Sequence, residues 1–229
     1  MSQFMILIHE PEAAEAALGP AETQSLLETR AAYEQRLRAA SVHRDGDRLR
    51  PSAEGRRVHR KGGQVQVDAG PFGDKALGAY YIVEASSLGA AVALAQDCPA
   101  SQGAELDVRP LMKGSLSPDK ASEPGRVFAF AVLGSSLSER GWVEVMDRIE
   151  ASSVEARGLG RWDEVTGFPA GRGLGGVRLE APGRGRRVVS SGGRRAVFDG
   201  PFLESKEVIG GLFFMCMASL DAAVQWASE

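Results

Sequence analysis

Histidine and cysteine are scarce in this chain of 229 residues, which holds three of the first and two of the second. Cys98 and Cys216 lie far apart, and neither sits in a Cys-x-x-Cys or comparable spacing. Two thiols make no disulfide framework, and a chain of this length buries a core without one. Both are expected to be reduced, buried, small hydrophobes. His9, His43 and His59 show no i, i+4 pairing, so the usual spacing of a metal site is missing, and no metal or cofactor is expected. Long apolar runs are missing too. Near the N-terminus only residues 4–8 (FMILI) are uninterrupted, too short for a signal sequence and far from the ~20 residues of a membrane span. The expectation is a soluble protein in the reducing cytoplasm. Nor is charge of one sign in excess: 27 Lys and Arg face 30 Asp and Glu, a formal net charge of −3. Neither nucleic acid nor membrane is expected as a partner.

What the sequence does contain, it contains twice. Residues 67–95 read VDAGPFGDKALGAYYIVEASSLGAAVALA, and residues 197–227 read VFDGPFLESKEVIGGLFFMCMASLDAAVQWA. The copies match at Gly70-Pro71-Phe72 and Gly200-Pro201-Phe202, again at Gly78 and Gly210, and without a gap from there on. A two-copy repeat at this distance means tandem domains rather than a solenoid. The expected boundaries are a first domain over 1–113, a Ser/Pro/Gly-rich linker over 114–125 and a second domain over 126–229.

Each copy reads as a strand, a helix, a hairpin, a strand and a second helix. The short apolar runs at 4–8 and 127–133 suit buried strands. A helix is expected over about 20–40, with Pro20 in its first turn, and another after Ser138, ending by Gly158. RRVHRKGGQVQVD and RRVVSSGGRRAVFD alternate around Gly-Gly and predict β-hairpins. Ser87 and Ser219 are placed to cap the second helices. ELDVRPLM, residues 105–112, adds a final strand to the first copy alone. The fold class is therefore α+β with antiparallel sheets. In the second copy another segment fills the last strand's place, or that sheet edge stays open.

Three segments, MILIHEPE, DGPFLESKEVIGG and ASLDAAVQWA, resemble the YCII-related family and, within it, the DGPF subgroup. The resemblance implies two ferredoxin-like domains packed as an intrachain pseudo-dimeric α/β barrel. Some members resemble cofactor-independent lyases or isomerases, and others have no agreed activity. Family members are thought to use a histidine and an aspartate in a cleft, here His9 with Asp68 or Asp199. The first copy departs from the motif by inserting Ala69 before Gly70, and the second has Leu133 near its first strand's end and no histidine.

His9 and Asp68 are thus the candidate catalytic pair, since a carboxylate can fix an imidazole's tautomer for acid–base work near neutral pH. Asp199, Lys206, Phe72, Phe202 and Tyr81 are candidates to line a ligand site. His43 and His59 are expected at the surface, among arginines. GRGLGG, residues 171–176, satisfies G-x-G-x-x-G in letters only, because no helix pattern follows it; it reads as a flexible loop. Arg184, Arg186, Arg187, Arg194 and Arg195 gather on one hairpin, by default a solvated one. Trp142, Trp162, Trp226, Phe213 and Phe214 read as packing residues. Two functions fit: a small-molecule-binding or regulatory module using an inter-domain cleft, or a lyase or isomerase with His9 and Asp68 as acid/base pair. The ligand is an unknown small molecule, with a protein partner or a homo-oligomer as further options.

Overall fold

A computed structural model describes residues 1–112, 126–135, 173–201 and 207–229. The first copy comprises β1 (Ser2–Glu10), α1 (Glu12–Ala16), α2 (Pro20–Ala39), β2 (His43–Arg48), β3 (Arg56–Lys61), β4 (Gln64–Ala69), β5 (Ala76–Ala85), α3 (Leu88–Asp97) and β6 (Glu105–Pro110). The second comprises β7 (Arg126–Ser135), β8 (Gly173–Arg178), β9 (Arg186–Ser191), β10 (Arg194–Asp199), β11 (Glu207–Met217) and α4 (Leu220–Ser228). The expected helix after Ser138, and Trp142 and Trp162, lie outside the described residues.

The chain is mixed α+β with antiparallel ladders, consistent with two ferredoxin-like domains. The strand order of the large sheet is β10-β9-β6-β1-β5-β2, so the second copy's hairpin extends the first copy's sheet. β7-β11-β8 form a second sheet and β3-β4 a third. β2 is a strand that the sequence pattern does not predict. Its sequence HRDGDR has no apolar alternation, because among the described residues it is an edge strand that pairs only with β5. Its counterpart β8 corrects the reading of GRGLGG, whose last four residues open that strand against β11.

The repeated glycines have structural reasons that recur in both copies. At Gly78 and Gly210 the register slips: Ile8 pairs with Ala79 and His9 with Leu77, while Val132 pairs with Gly211 and Leu133 with Ile209. The carbonyls freed there accept from Leu49 N at 2.8 Å and Leu179 N at 2.9 Å. Gly70 and Gly200 precede cis prolines, and a Cβ on either would lie 1.9 Å from the Ser52 carbonyl oxygen or 2.0 Å from that of Pro182. Ser87 and Ser219 cap α3 and α4 as expected, accepting from Ala90 N at 3.2 Å and Ala222 N at 3.1 Å.

Alternation along β1 divides the core into two. Phe4, Ile6 and Ile8 face α2 and α3, with Tyr33, Leu37, Val92 and Leu106. Met5 and Leu7 face the other way and join Tyr80 and Ile82 to Val177, Leu179, Leu212 and Phe214 of the second copy. That second cluster is the seam between the copies. Arg109, almost wholly buried, crosses it from β6: its Nε donates to the Glu180 carbonyl at 3.1 Å and its Nη1 to the Ile209 carbonyl at 3.4 Å. Burial pulls the pKa of this guanidinium down to about 10 against the pull of Asp107 and Glu180.

Candidate functional site

His9, the residue before the last of β1, lies on the seam face, and β6 runs beside β1 in unbroken register: Leu7 opposite Asp107, Ile8 opposite Leu106, His9 opposite Glu105. Side chains two apart share a face, so His9, Asp107 and Glu105 point together toward β9. There Asp107 stands opposite Arg187. The Arg187 guanidinium grips the Asp107 carboxylate through Nε at 2.6 Å and Nη2 at 2.9 Å. Its Nη1 lies 3.0 Å from Glu105 Oε2, and Lys75 Nζ holds Glu105 Oε1 at 2.5 Å. His9 Nε2 lies 3.6 Å from Asp107 Oδ2. The cluster draws His9, Lys75, Glu105 and Asp107 from the first copy and Arg187 from the second.

Its electrostatics follow from that geometry. Burial alone would raise the Asp107 pKa, but the Arg187 fork and the nearby His9 ring outweigh it and bring it down to about 2. Asp107 is therefore an anion throughout the physiological range. Both carboxylates are matched by a cation, Glu105 by Lys75 and Arg187, Asp107 by Arg187. His9 differs from the rest. Its side chain is 21% exposed, and its Nε2, 3.6 Å from Asp107 Oδ2, is buried without a hydrogen-bond partner among the described residues. A carboxylate beside one nitrogen favours the proton there and leaves the other as acceptor.

The expected partner of His9, Asp68, is elsewhere. It sits on β4 opposite Arg57, in the separate β3–β4 hairpin, and its exposed carboxylate lies 3.6 Å from His59 Nδ1. The structure brings His9 to Asp107 instead, because β6, not the hairpin, is the neighbour of β1. Asp199 is the equivalent residue on β10; it is exposed, with Oδ1 2.5 Å from Arg186 Nε. Phe72 is half-buried under the Arg57 guanidinium, which lies 4.8 Å from the ring centre. Tyr81 is core: it packs edge-on against Tyr33 at 5.3 Å on the helix side of the sheet, away from His9, and burial raises its pKa to about 12. Lys206 and Phe202 lie outside the described residues. His43, expected at the surface, has only 4% of its side chain exposed. It packs against Tyr81, and burial lowers its pKa. Cys98 and Cys216 are both buried thiols, and burial pushes the Cys98 pKa up to about 12.

Asp107 and Glu105 were the residues missed, and Arg187, expected on a solvated hairpin, is largely buried against both of them. The available signal was the charge placement in ELDVRP, whose Glu105 and Asp107 alternate with Leu106 and Val108. Two carboxylates on one face of a buried strand require cations opposite. Nothing in the sequence said that the cation would come from the other copy.

No helix among the described residues is long and apolar enough to cross a membrane. No curated protein matches the chain. The model of the YCII-related domain matches it over residues 2–113 and again over 146–229, consistent with two copies. With both arms of the repeat matched and most of the length covered, the chain belongs to the YCII-related domain family.

Proposed function

We propose that this protein binds a small polar molecule at the junction of its two copies, in the cleft of an intrachain pseudo-dimeric barrel, with His9 as the recognising group. One observation carries the reading: His9, the buried Asp107 anion and Arg187 of the other copy converge, with His9 Nε2 3.6 Å from Asp107. The cations of the cluster are already engaged by carboxylates, so a fully anionic ligand finds little uncompensated positive charge. A neutral or weakly acidic molecule offering a proton to His9 fits better, such as a hydroxy acid, an enol or a lactone.

Three histidines make the test clean. Small acids and lactones are titrated against the protein while the three imidazole proton resonances are followed by NMR. Binding here shifts the His9 resonance saturably, leaves those of His43 and His59 unmoved, and disappears in Arg187→Ala. Equal shifts at all three rings, or none, would sink the proposal.

The same carboxylate supports a second reading. An ionised Asp107 beside Nε2 would orient the ring so that Nδ1 takes a proton from the ligand, the first half of lyase or isomerase chemistry. Turnover of a bound compound, lost in His9→Ala and strongly reduced in Asp107→Asn, separates this from binding alone.

A further inference from the structure

A groove opens on the helix side of the large sheet. The first half of α2 forms one wall, and the turn between α3 and β6 forms the other. Its volume is about 720 Å³, within the range of small-molecule sites. The α2 wall is built with little core packing, since the buried residues of that helix are Arg30, Tyr33 and Leu37. Its first turns are held locally instead. Pro20 starts the helix, Gly19 N donates to Glu22 Oε2 at 2.9 Å, and Gln24 Nε2 donates to Glu28 Oε1 at 2.7 Å. Leu18 and Leu26, half-buried, line the groove together with Pro99 and Ala100 of the turn.

The second copy fixes the other wall. Gly103 N donates to the Ser190 carbonyl at 3.1 Å, and Ser190 N to the Ala104 carbonyl at 3.2 Å, so β9 pins the turn. Arg195 of β10 reaches the end of α3, where Nη1 donates to the Ala95 carbonyl at 2.8 Å and Nη2 to that of Cys98 at 2.5 Å. Those acceptors are neutral. The guanidinium therefore lines the groove with a charge that these partners do not match and with further N–H groups to donate. Arg187 of the same hairpin differs, being engaged by the carboxylates of Glu105 and Asp107. Glu22 is the carboxylate of the lining, and it is turned to the Gly19 amide.

We propose that this groove binds a small monocarboxylic acid with an apolar body, its carboxylate on Arg195 and its chain along Leu18, Leu26 and Ala100. A pinned turn, an apolar lining and one cation held by neutral groups suit that chemistry. A multiply charged anion suits it less, because Glu22 would repel it. The ligand touches both copies at once, since α2 belongs to the first and Arg195 to the second. This is independent of the His9 reading. Arg195 stands opposite Ser190, on the same face as Val188 of the helix-side core, whereas Arg187 points through the other face to Asp107.

The probe is hexanoate, titrated into the isotope-labelled full chain and followed by amide and imidazole NMR. Expected is saturable binding with a Kd of about 1 mM or below, read as shifts of the Ser101 and Gln102 amides with the His9 ring unmoved. Hexanamide keeps the chain but not the charge, and it should bind at least about tenfold more weakly. Hexanoate should lose about as much on Arg195→Gln. Ala21→Glu, at an exposed position in the first turn of α2, places a second carboxylate at the groove. It should weaken hexanoate about tenfold with thermal unfolding unchanged, which keeps the test decisive if Arg195→Gln fails to fold. Inorganic phosphate at equal concentration should shift the same amides at least about tenfold less; equal shifts would reduce the site to a lone surface arginine and overturn the proposal. So would equal binding of hexanamide, full affinity in Ala21→Glu, or no saturation up to about 10 mM hexanoate. Shifts at His9 with a silent turn would place the acid in the cleft of the other reading and overturn this one.

Discussion

Glu10 and Asp107 are both buried carboxyls near the junction of β1 and β6, yet their pKa values move in opposite directions. Asp107 has a two-armed guanidinium to itself. Glu10 shares Arg30 with Glu15, through Nη2 at 2.5 Å and Nη1 at 2.9 Å, and its Oε2 is buried without a hydrogen bond. Burial, helped by the neighbouring Glu15 and only partly opposed by Arg30, raises the Glu10 pKa to about 7 from 4.5. The signs then separate. The native state holds the Glu10 proton more tightly than the unfolded chain does, so this contribution is complete below about pH 4.5 and is lost as pH rises through 7. Asp107 contributes above its unfolded value near 3.8 and loses the contribution as pH falls toward 2. Urea denaturation of the intact chain should therefore show stability falling by roughly 2 kcal/mol between about pH 5 and 7 on account of Glu10. In Glu10→Gln that slope should vanish. A slope unchanged by the substitution would reassign the effect to another group.

At the scale of elements, the repeated Gly-Pro-Phe turn is a packing device first. A Cβ at Gly70 or Gly200 would drive into a backbone carbonyl of the 3₁₀ turn facing it, at 1.9 Å and 2.0 Å, and the backbone cannot step aside as a side chain could. Gly70→Ala and Gly200→Ala should each cost about 2–4 kcal/mol in thermal unfolding, with Asp68→Ala and Asp199→Ala, both exposed, within about 0.5 kcal/mol. Larger losses at the aspartates would show that their carboxylates help to hold the turn. The same turn shows how far the sequence could be read. Local signals were legible: the serine caps at Ser87 and Ser219, the Gly-Gly hairpins, and the bulge glycines that align as Gly78 and Gly210. The polar edge strand β2 was not, because only pairing with β5 makes it a strand. Strand neighbours were not legible either. Two residues of one copy, His9 and Asp68, looked like a pair from the family pattern, while the ladder placed Asp107 beside His9. A one-dimensional repeat shows what each copy contains but not which copy's hairpin lies beside which strand.

At the scale of the whole molecule, the second copy's hairpin crosses to the first copy's sheet. β9 completes the first copy's sheet by pairing with β6, and Val188 joins the first copy's core. Arg109 ties the second copy back through the carbonyls of Glu180 and Ile209. Arg109→Ala would strand those carbonyls inside the seam and empty the volume of a large side chain, so a loss of about 3 kcal/mol or more is expected by denaturant titration. Cutting the chain between the copies is the stronger test. Residues 1–113 alone would expose Met5, Leu7, Tyr80 and Ile82, together with the β6 edge that β9 now covers. An apolar face and an open strand edge on one small domain favour association. Light scattering should find either half expressed alone as a dimer or aggregate, and mixing the two halves should restore a one-to-one complex the size of the intact chain. Soluble monomeric halves that ignore each other would mean that the seam contributes little to folding, and a site shared between the copies would lose its physical basis.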